Sequence, residues 1–299
     1  MTRSIHAIIN PNAGGGYASN VWPGVKTLFS KYDLTFSFTE KHGDAEIYAK
    51  KAIEDGKEFI AVVGGDGTIN EVIQSCAGKN VTVIPMSAGT GSDFVRNFSV
   101  RREASIQDMI ENNTAVTVDL GVAESDNGKR YFANIAEAGF GAGVMRRMNS
   151  HRKKRGGNSF MMNIMKEIIN FRQFECSMTS KEIQKTISAS EIIIANGVYF
   201  GGGIKAAPDA VLDDGLLTVH IIGGAGRGKL LMNLRKLKDG SYIGNRDVIS
   251  FTTKDLKLEG SSMVEMDGED FGSLPTRFSI REKSLRVLGT LEKVSDRGP

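Results

Sequence analysis

The fold of this chain is decided by one stretch, Val62-Val63-Gly64-Gly65-Asp66-Gly67-Thr68-Ile69-Asn70-Glu71. An apolar run at 59–63 precedes it and a helix-like run at 72–76 follows it, so the pattern predicts a strand, a glycine turn and a helix. Glycine lets the backbone approach a ligand closely, and the first turn of a helix directs unpaired N–H groups at that ligand. Asp66 adds a carboxylate, which suits a phosphate-bound Mg²⁺. The stretch therefore indicates nucleotide phosphoryl chemistry, with an ordinary strand-to-helix turn as the alternative.

Length and composition restrict the class of protein. With 299 residues the chain has the length of about two domains, and its net charge of +3 is ordinary for a globular protein. Its two cysteines provide neither a disulfide framework nor a metal-binding pair, which fits a reducing cytoplasm. No signal-peptide pattern occurs, and no run reaches the roughly 18 apolar residues of a membrane span. We therefore expect a cytoplasmic protein without a transmembrane segment, which touches a membrane only peripherally.

The first 120 residues alternate between predicted strands and helices. Strands are predicted at 5–10, 34–38, 59–63 and 81–85, and a helix at 44–55. This alternation is typical of a mostly parallel sheet with helices on both faces, which binds ligands beyond the carboxyl ends of its strands. Three glycine-rich turns fall at such ends, at 12–16, 64–68 and 89–92. Together they predict a nucleotide-binding cleft.

Beyond residue 120, short strand-like runs replace this alternation. The predicted strands are 131–135, 190–195, 216–222, 247–252, 256–259, 277–280 and 285–288, with helices at 159–173 and 229–237. Closely spaced short strands favour an antiparallel sandwich. We therefore predict an α/β + β fold, with an α/β nucleotide-binding domain at 1–120, a β-sandwich-like domain at 121–290 and a polar tail at 291–299.

The order of several motifs resembles the diacylglycerol kinase catalytic-domain family of soluble lipid kinases. The motifs are Asn10-Pro11-Asn12-Ala13-Gly14, Gly64-Gly65-Asp66-Gly67-Thr68-Ile69-Asn70-Glu71, Gly89-Thr90-Gly91-Ser92-Asp93-Phe94, Asn196-Gly197-Val198-Tyr199-Phe200-Gly201-Gly202-Gly203, Pro208-Asp209-Ala210-Val211-Leu212-Asp213-Asp214-Gly215-Leu216-Leu217 and Asp267-Gly268-Glu269. They cover nearly the whole chain, and the last three distinguish lipid kinases from the NAD kinases and phosphofructokinases that share Gly-Gly-Asp-Gly. The family usually has asparagine at the position of Ser92. The resemblance implies an NAD kinase/diacylglycerol kinase-like fold.

The resemblance also implies an ATP site built from the glycine turns. The residues expected to contact ATP are Asn10, Pro11, Asn12, Ala13, Gly14, Thr39, Gly64, Gly65, Asp66, Gly67, Thr68, Ile69, Asn70, Glu71, Gly89, Thr90 and Gly91. The family further implies an acidic network of Asp66, Asp93 and Asp119 around a catalytic Mg²⁺ and its waters. For the loop after Gly89, the alternative is a helix N-terminus with Asp93 as a first-turn acid.

The general base would, by the same resemblance, come from Asp267-Gly268-Glu269. A primary alcohol is a poor acid, so a carboxylate that accepts its proton assists phosphoryl transfer. The sequence does not separate Asp267 from Glu269 as the base. A plain hairpin turn is the alternative, because Asp-Gly is a common turn pair.

A second metal site is implied for residues 211–216, which resemble the family's structural magnesium loop. Its expected ligands are the carboxylate of Asp214 and the backbone carbonyls of Val211 and Leu216, because hard cations accept both kinds of oxygen. A turn without metal is the alternative.

The stretch 223–230 nearly matches the pattern G-x-x-x-x-G-K-[ST] of phosphate-binding loops. Leu230 stands where that pattern needs a hydroxyl that reaches Mg²⁺, so we interpret the stretch as a connector.

Charge and apolar patterning at 146–171 bears on the partner of the protein. The basic run at 146–155 is either a solvated loop or a contact with anionic lipid head groups. The methionine-rich run at 160–171 is either core or an apolar docking edge. Basic residues without interleaved aromatics argue against nucleic acid as a partner. We expect a lipid substrate at the membrane surface, and a homodimer is compatible with the sequence.

These observations predict an ATP-dependent lipid kinase, which most simply converts diacylglycerol to phosphatidic acid. The acceptor is not fixed by the sequence, because a sphingoid base, a ceramide, an ether glycerolipid and a polyprenol also present a hydroxyl. Two other classes stay open. One is an NAD kinase-like phosphotransferase, and the other is a non-catalytic lipid- or nucleotide-binding relative, against which the complete set of acids argues.

Overall fold

The structure is a computed structural model that describes residues 2–89, 91–99, 103–150, 157–224 and 236–292. Several predictions fall outside these residues: Thr90, the basic residues 151–155, the stretch 225–230, most of the predicted helix 229–237, and the tail from residue 293. The helices are α1 (Tyr17–Leu28), α2 (Asp44–Glu54), α3 (Asp66–Cys76), α4 (Glu103–Glu111), α5 (Phe140–Ser150) and α6 (Gly157–Asn170). Within the described ranges, no helix is long and apolar enough to cross a membrane.

The strands follow in chain order. They are β1 (Ser4–Ile9), β2 (Asp33–Phe38), β3 (Phe59–Gly64), β4 (Thr82–Ser87), β5 (Phe98–Ser99), β6 (Ala115–Ser125), β7 (Gly128–Phe132), β8 (Ile135–Gly139), β9 (Phe174–Ser180), β10 (Gln184–Ala195), β11 (Tyr199–Phe200), β12 (Ile204–Lys205), β13 (Leu217–Gly223), β14 (Val248–Thr253), β15 (Asp255–Gly260), β16 (Met263–Met266), β17 (Glu269–Ser273), β18 (Thr276–Leu288) and β19 (Thr290–Leu291). Short 3₁₀ turns at Ala13–Gly15 and Val95–Asn97 complete the described elements.

The N-terminal part is a parallel sheet in the order β2-β1-β3-β4, with helices on both faces. Ala49 of α2 and Val72 of α3 belong to the apolar core on one face. Trp22 of α1 and Ile110 of α4 belong to the core on the other face. The central strand β3 is buried along its whole length, which explains its continuous apolar run. The predicted strands and the helix of this part are confirmed to within a few residues.

The C-terminal part is mostly antiparallel. Strand β10 pairs with β8, β9 and β13, and β16 pairs with β8 and β17. Its apolar core includes Phe132, Ile192 and Phe278. The predicted α/β + β fold is confirmed by this combination of a parallel sheet with an antiparallel, sandwich-like part.

Strand β18 connects the two parts. It pairs antiparallel with β15 and β6, and its residues Arg286 and Val287 run parallel to β4. The sequence predicted two strands here, at 277–280 and 285–288, and that prediction is wrong because both belong to β18. A register shift between Arg281 and Leu285 interrupts the apolar pattern without ending the pairing with β6. The predicted domain boundaries stay predictions.

Two further corrections concern elements near the site. The predicted strand at 131–135 divides into β7 and β8, because the N–H groups of Ala133 and Asn134 donate to the carboxylate of Asp267 instead of a neighbouring strand. The start of the basic run, Arg146 and Arg147, lies on helix α5 and not in a loop.

Candidate active site

The three glycine turns of the N-terminal sheet meet beyond the carboxyl ends of β1, β3 and β4. A Cβ atom on Gly89 would lie 2.7 Å from the Cα atom of Gly65, and one on Gly14 would lie 2.4 Å from the carbonyl oxygen of Ala88. Gly14 also has a φ of 61°, in the left-handed region. Glycine is therefore required at these contacts, and the turns form one continuous backbone surface.

Side-chain hydrogen bonds fix the first two turns to each other. The Nδ2 atom of Asn10 donates to the Oγ1 atom of Thr68 over 3.0 Å, and the N–H of Asn12 donates to the Oδ1 atom of Asn10 over 3.1 Å. A Cβ atom on Gly64 would lie 2.7 Å from the Oγ1 atom of Thr68. The side chains of Asn10 and Thr68 thus hold the turns in shape and leave backbone groups for the ligand.

Helix α3 starts at Asp66, directly after the second turn. Its first backbone bond is donated by Ile69 to the carbonyl of Gly65 over 3.1 Å, so the N–H groups of the residues before Ile69 have no acceptor within the helix. Unpaired N–H groups at the positive end of a helix bind anions such as phosphate. The phosphate seat predicted from the glycine pattern is consistent with this geometry.

Asp66 lies between the second and third turns. Its Oδ1 atom accepts a hydrogen bond from the N–H of Phe94 over 3.2 Å, and its Oδ2 atom lies 2.6 Å from a Cβ atom placed on Gly91. Within the described chain, Oδ2 accepts no hydrogen bond. A free carboxylate oxygen beside a phosphate seat fits a hard cation such as Mg²⁺.

Asp93 connects the third turn to the C-terminal part. This buried carboxylate accepts hydrogen bonds from the N–H groups of Gly202 (2.8 Å) and Gly203 (2.6 Å). Burial raises the pKa of Asp93, while its bond with Gly202 lowers it. Both glycines have left-handed φ angles, of 88° and 103°, which glycine adopts without strain. Asp93 therefore positions the glycine turn of the second domain over the cleft.

Asp119 is held by backbone groups of two segments that lie far from it in the sequence. Its Oδ2 atom accepts a hydrogen bond from the N–H of Gly215 over 2.7 Å, and its Oδ1 atom accepts one from Lys283 over 2.6 Å. Across the described residues, no group of three or more His, Cys, Asp or Glu side chains is arranged to hold a metal ion. The predicted network of Asp66, Asp93 and Asp119 around Mg²⁺ and its waters stays a prediction. In the structure, Asp119 holds the turn at 212–215 and the irregular segment of β18.

The loop at 211–216 is a tight turn. The Oδ1 atom of Asp214 accepts a hydrogen bond from the N–H of Leu216 over 2.9 Å, and the carbonyl of Leu212 accepts one from Asp119 over 2.7 Å. Burial raises the pKa of Asp214, and the negative charge of Asp119 adds to this increase. Asp214 and the carbonyls of Val211 and Leu216 stay a predicted magnesium site, since one carboxylate and turn carbonyls are the oxygen ligands that it needs.

In the motif Asp267-Gly268-Glu269, the first two residues form the two-residue turn between β16 and β17, and Glu269 is the first residue of β17. Asp267 and Gly268 have φ angles of 48° and 87°, as a type I′ hairpin turn requires. The two oxygens of Asp267 accept four hydrogen bonds, whose donors are the N–H groups of Ala133 (2.7 Å), Asn134 (3.0 Å) and Ile135 (3.1 Å) and the side-chain amide of Asn70 (2.9 Å). Burial raises the pKa of Asp267, and these donors oppose the increase. Asp267 is therefore fully engaged in holding the hairpin.

Glu269 is placed differently. Its Oε1 atom lies 3.5 Å from a Cβ atom placed on Gly67, in the first turn of α3. The described residues donate no hydrogen bond to its carboxylate, which is only partly buried. The structure thus separates two acids that the sequence left equivalent, since Asp267 accepts four hydrogen bonds and no described residue donates one to Glu269.

Other predicted nucleotide ligands have side chains that point elsewhere. Ile69 lies in the apolar core, and Glu71 binds the N–H of Ala45 over 3.0 Å and His42 over 3.0 Å. Asn70 is engaged with Asp267, and Thr39 is buried at the end of β2. These side chains are buried or bonded to other parts of the protein, so residues 69–71 would contact phosphate only through their backbone.

Sequence reasoning assigned no role to Arg96. Its Nε atom donates to the carbonyl of Gly91 over 3.3 Å and lies 3.9 Å from the Oδ1 atom of Asp93. Its guanidinium Cζ atom lies 3.3 Å from a Cβ atom placed on Gly203. The sequence did contain an indication of this contact, because Asp93 and Arg96 are three residues apart on a helical turn. Arg96 thus places a positive charge at the edge of the cleft.

Glycine turns that meet beyond a parallel sheet, opposite a free carboxylate on a hairpin of a second domain, define a two-domain nucleotide-dependent phosphotransferase. Residues 4–123 match the diacylglycerol kinase catalytic domain, and residues 134–289 match the YegS C-terminal NAD kinase beta sandwich-like domain. The chain therefore belongs to the lipid kinase family that these two domains define, which confirms the resemblance seen in the sequence.

Individual relatives agree with this assignment. A diacylglycerol kinase of Mycobacterium tuberculosis (strain CDC 1551 / Oshkosh) is 26% identical over 293 residues, which are 95% of this chain and 94% of the relative. A protein of Xanthomonas campestris pv. campestris (strain 8004) named "Probable lipid kinase YegS-like" is 28% identical over 268 residues, or 85% and 86% of the two chains. A crystal structure of a diacylglycerol kinase from Bacillus anthracis str. Sterne has a TM-score of 0.70 and 21% identity, covers 97% of each chain, and shows the same fold.

Proposed function

We propose that this protein is an ATP-dependent lipid kinase, which transfers the γ-phosphoryl group of ATP to the primary hydroxyl of a neutral lipid. Diacylglycerol, giving phosphatidic acid, is the simplest acceptor. The observation that carries the proposal is the placement of Glu269, whose Oε1 atom lies 3.5 Å from a Cβ atom placed on Gly67. A free carboxylate that faces a phosphate-binding helix terminus suits proton removal from an alcohol during phosphoryl transfer.

The acceptor oxygen forms a bond to the γ-phosphorus, its proton passes to Glu269, and the bond from the γ-phosphorus to the bridging oxygen of ADP breaks. The unpaired N–H groups at the start of α3 bind phosphate oxygens, and Asp66 would hold Mg²⁺. When bound, Mg²⁺ neutralises charge on the phosphates. Asp267 keeps the turn that carries Glu269 in position.

The first test is phosphate transfer from γ-labelled ATP, with Mg²⁺, to a panel of neutral lipids in mixed micelles, with NAD⁺ as a soluble acceptor. Label in the organic phase is the expected result, and it identifies the acceptor among diacylglycerol, ceramide and sphingoid bases. Label on NAD⁺ alone would replace the proposal with an NAD kinase. No transfer to any acceptor would favour a non-catalytic binding role.

Variants connect the activity to the site. Asp66→Asn and Glu269→Gln are each expected to lower kcat by about 10²-fold or more while the fold is retained. Asp270→Asn is the matched control, because Asp270 follows Glu269 on the same hairpin, is exposed, and binds only the nearby N–H of Gly272 among the described groups. An unchanged kcat in Asp66→Asn would contradict the proposal.

We also propose that helix α6 contacts the lipid surface. Met162, Met165 and Ile169 are 53%, 41% and 60% exposed, and their spacing places them on one face of the helix. The opposite face, with Ile164 and Ile168, is buried, so the methionine-rich run is partly core and partly surface. Apolar side chains on one exposed helix face are typical of peripheral membrane contact.

Two features near α6 support the proposed contact with the lipid surface. Exposed Lys166 and Arg172 lie in and next to the helix and would meet anionic head groups. Helix α5, against which α6 packs, reaches the active-site hairpin: the Cε atom of Met145 lies 3.5 Å from a Cβ atom placed on Gly268. A lipid that enters beside α6 therefore arrives near Glu269.

Vesicle binding tests this contact. Met165→Glu combined with Ile169→Glu is expected to reduce sedimentation with vesicles of phosphatidylglycerol and phosphatidylcholine. Ile47→Glu serves as the control, because Ile47 is equally exposed, at 61%, but lies on α2 of the N-terminal domain. Equal binding by both variants would place the contact elsewhere.

A further inference from the structure

Three buried glutamates form a cluster behind the active-site hairpin. Glu137, Glu191 and Glu265 are 1%, 5% and 3% exposed and lie on the neighbouring strands β8, β10 and β16. Glu137 and Glu265 stand directly opposite each other in the antiparallel register, and Glu191 pairs with Gly139 at the end of β8. All three side chains therefore share one region between the sheet and helix α5.

Among the described residues, the cluster has no compensating cation. No lysine, arginine or histidine from the described chain forms an ion pair with any of the three carboxyls. Glu137 Oε2 and Glu191 Oε1 are buried, and no described group forms a hydrogen bond with either atom. The other ionisable groups that face the cluster are Asp267 and Tyr242, and neither carries a positive charge.

Because no described cation neutralises these three carboxyls, the cluster is stable only when some of them hold protons. Glu137 and Glu265 stand opposite each other on paired strands and are both buried. Two such carboxyls hydrogen-bond to each other only when one of them holds a proton. Burial raises the pKa of Glu137 to about 7 and raises the pKa values of Glu191 and Glu265 well above their usual range. Buried carboxyls without cations neutralise in this way because an isolated buried charge is unfavourable.

The cluster is attached to the hairpin and to α5. The Oε2 atom of Glu265 accepts a hydrogen bond from the N–H of Gly268 over 2.9 Å, inside the turn that carries Asp267 and precedes Glu269. The Oε2 atom of Glu191 accepts a hydrogen bond from the N–H of Gly141 over 2.6 Å, at the start of α5. Loss of the shared proton would place adjacent charges directly beneath the hairpin.

We propose that Glu137, Glu191 and Glu265 are positioning residues of the phosphoryl transfer, a proton-sharing cluster that keeps Glu269 aligned only while it retains its protons. This inference rests on the proposed kinase function. The base then remains aligned at and below neutral pH, and alkaline pH displaces the hairpin without affecting the nucleotide turns. The expected signature is an alkaline decrease in kcat with an unchanged KM for ATP.

The decisive experiment compares pH profiles of kcat from about pH 6 to about pH 9 in the wild type, Glu137→Gln and Glu137→Leu. Glutamine can donate to Glu265 but cannot ionise, so Glu137→Gln should keep its kcat at alkaline pH, where the wild type loses most of its activity. Leucine cannot form a hydrogen bond with Glu265, so Glu137→Leu should have a lower kcat at every pH. Glu175→Gln, an exposed site on β9, should match the wild type.

Two results would overturn the inference. One is an alkaline limb that is the same in the wild type and Glu137→Gln, and the other is equal activity of the glutamine and leucine variants. Infrared spectroscopy gives a readout that needs no kinase activity: the wild type at about pH 6 should show a C=O band of protonated carboxyl that weakens in Glu137→Gln. If the wild type shows no transfer to any lipid, the function proposal fails, and the infrared band alone decides whether the cluster shares protons.

Discussion

Asn70 and Asp267 stand 197 positions apart in the chain and are joined by a hydrogen bond of 2.9 Å from Nδ2 to Oδ2. Asn70 lies on α3, whose first turn forms the phosphate seat, and Asp267 lies in the turn that leads to Glu269. The bond therefore fixes the distance between the phosphate-binding part of the cleft and the proposed base. Helix α3 therefore contacts both halves of the site, the predicted phosphate seat and the hairpin that carries the proposed base.

Asn70→Ala tests this connection. The variant removes one of the four donors to Asp267, so we expect a loss of about 1–3 kcal/mol in the free energy of unfolding and a lower kcat. Glu269→Gln should lower kcat without a comparable loss of stability, because Glu269 has no hydrogen-bond partner among the described residues. Urea denaturation together with steady-state kinetics separates the two effects. Equal stability of Asn70→Ala and the wild type would contradict a structural role for the bond.

Asp119→Asn should affect stability more than nucleotide binding. Both carboxylate oxygens of Asp119 accept backbone hydrogen bonds, and an amide can replace only one of these acceptors, so we expect a loss of about 2–3 kcal/mol in the free energy of unfolding. The KM for ATP should stay unchanged. A variant that is fully stable but inactive would instead support the predicted role of Asp119 in the catalytic network.

Gly89→Ala should weaken ATP binding. Its Cβ atom would lie 2.7 Å from the backbone of Gly65, so the third turn must move away from the second, and the KM for ATP should rise several-fold. Gly24→Ala is the control, because the space around Gly24 on α1 is open and alanine favours a helix. Isothermal titration with a non-hydrolysable ATP analogue checks the binding directly. Equal affinity of Gly89→Ala and the wild type would mean that the close packing of the turns is not required.

The glutamate cluster should make stability depend on pH in a defined direction. The pKa of Glu137 is raised in the folded state to about 7, so its contribution is fully present below the unfolded pKa of about 4.3 and is lost as the pH rises through about 7. For Glu137 this change amounts to about 4 kcal/mol. In Glu137→Gln the free energy of unfolding should fall less between these pH values. Thermal unfolding at several pH values measures the slopes, and parallel slopes in the two proteins would argue against the raised pKa.

Local sequence patterns were sufficient for the elements that depend on neighbouring residues. The strand, glycine turn and helix around Asp66 were predictable because glycine conformations and helix starts are set within a few residues. The Asp267-Gly268 turn was predictable as a hairpin for the same reason. A family resemblance could then name the acids of the site, but it could not assign their contacts.

What the sequence alone determined is the kind of chemistry: an α/β nucleotide-binding part with three glycine turns, and acids in the order of a lipid kinase. Only the tertiary structure decided which of these acids are held by hydrogen bonds, because the donors that engage Asp267 and Asp119 come from segments far away in the chain. The cluster of Glu137, Glu191 and Glu265 was likewise not predictable from the sequence. Glu137 and Glu265 each appear in the sequence as an acid within an apolar strand, and only strand pairing places them opposite each other.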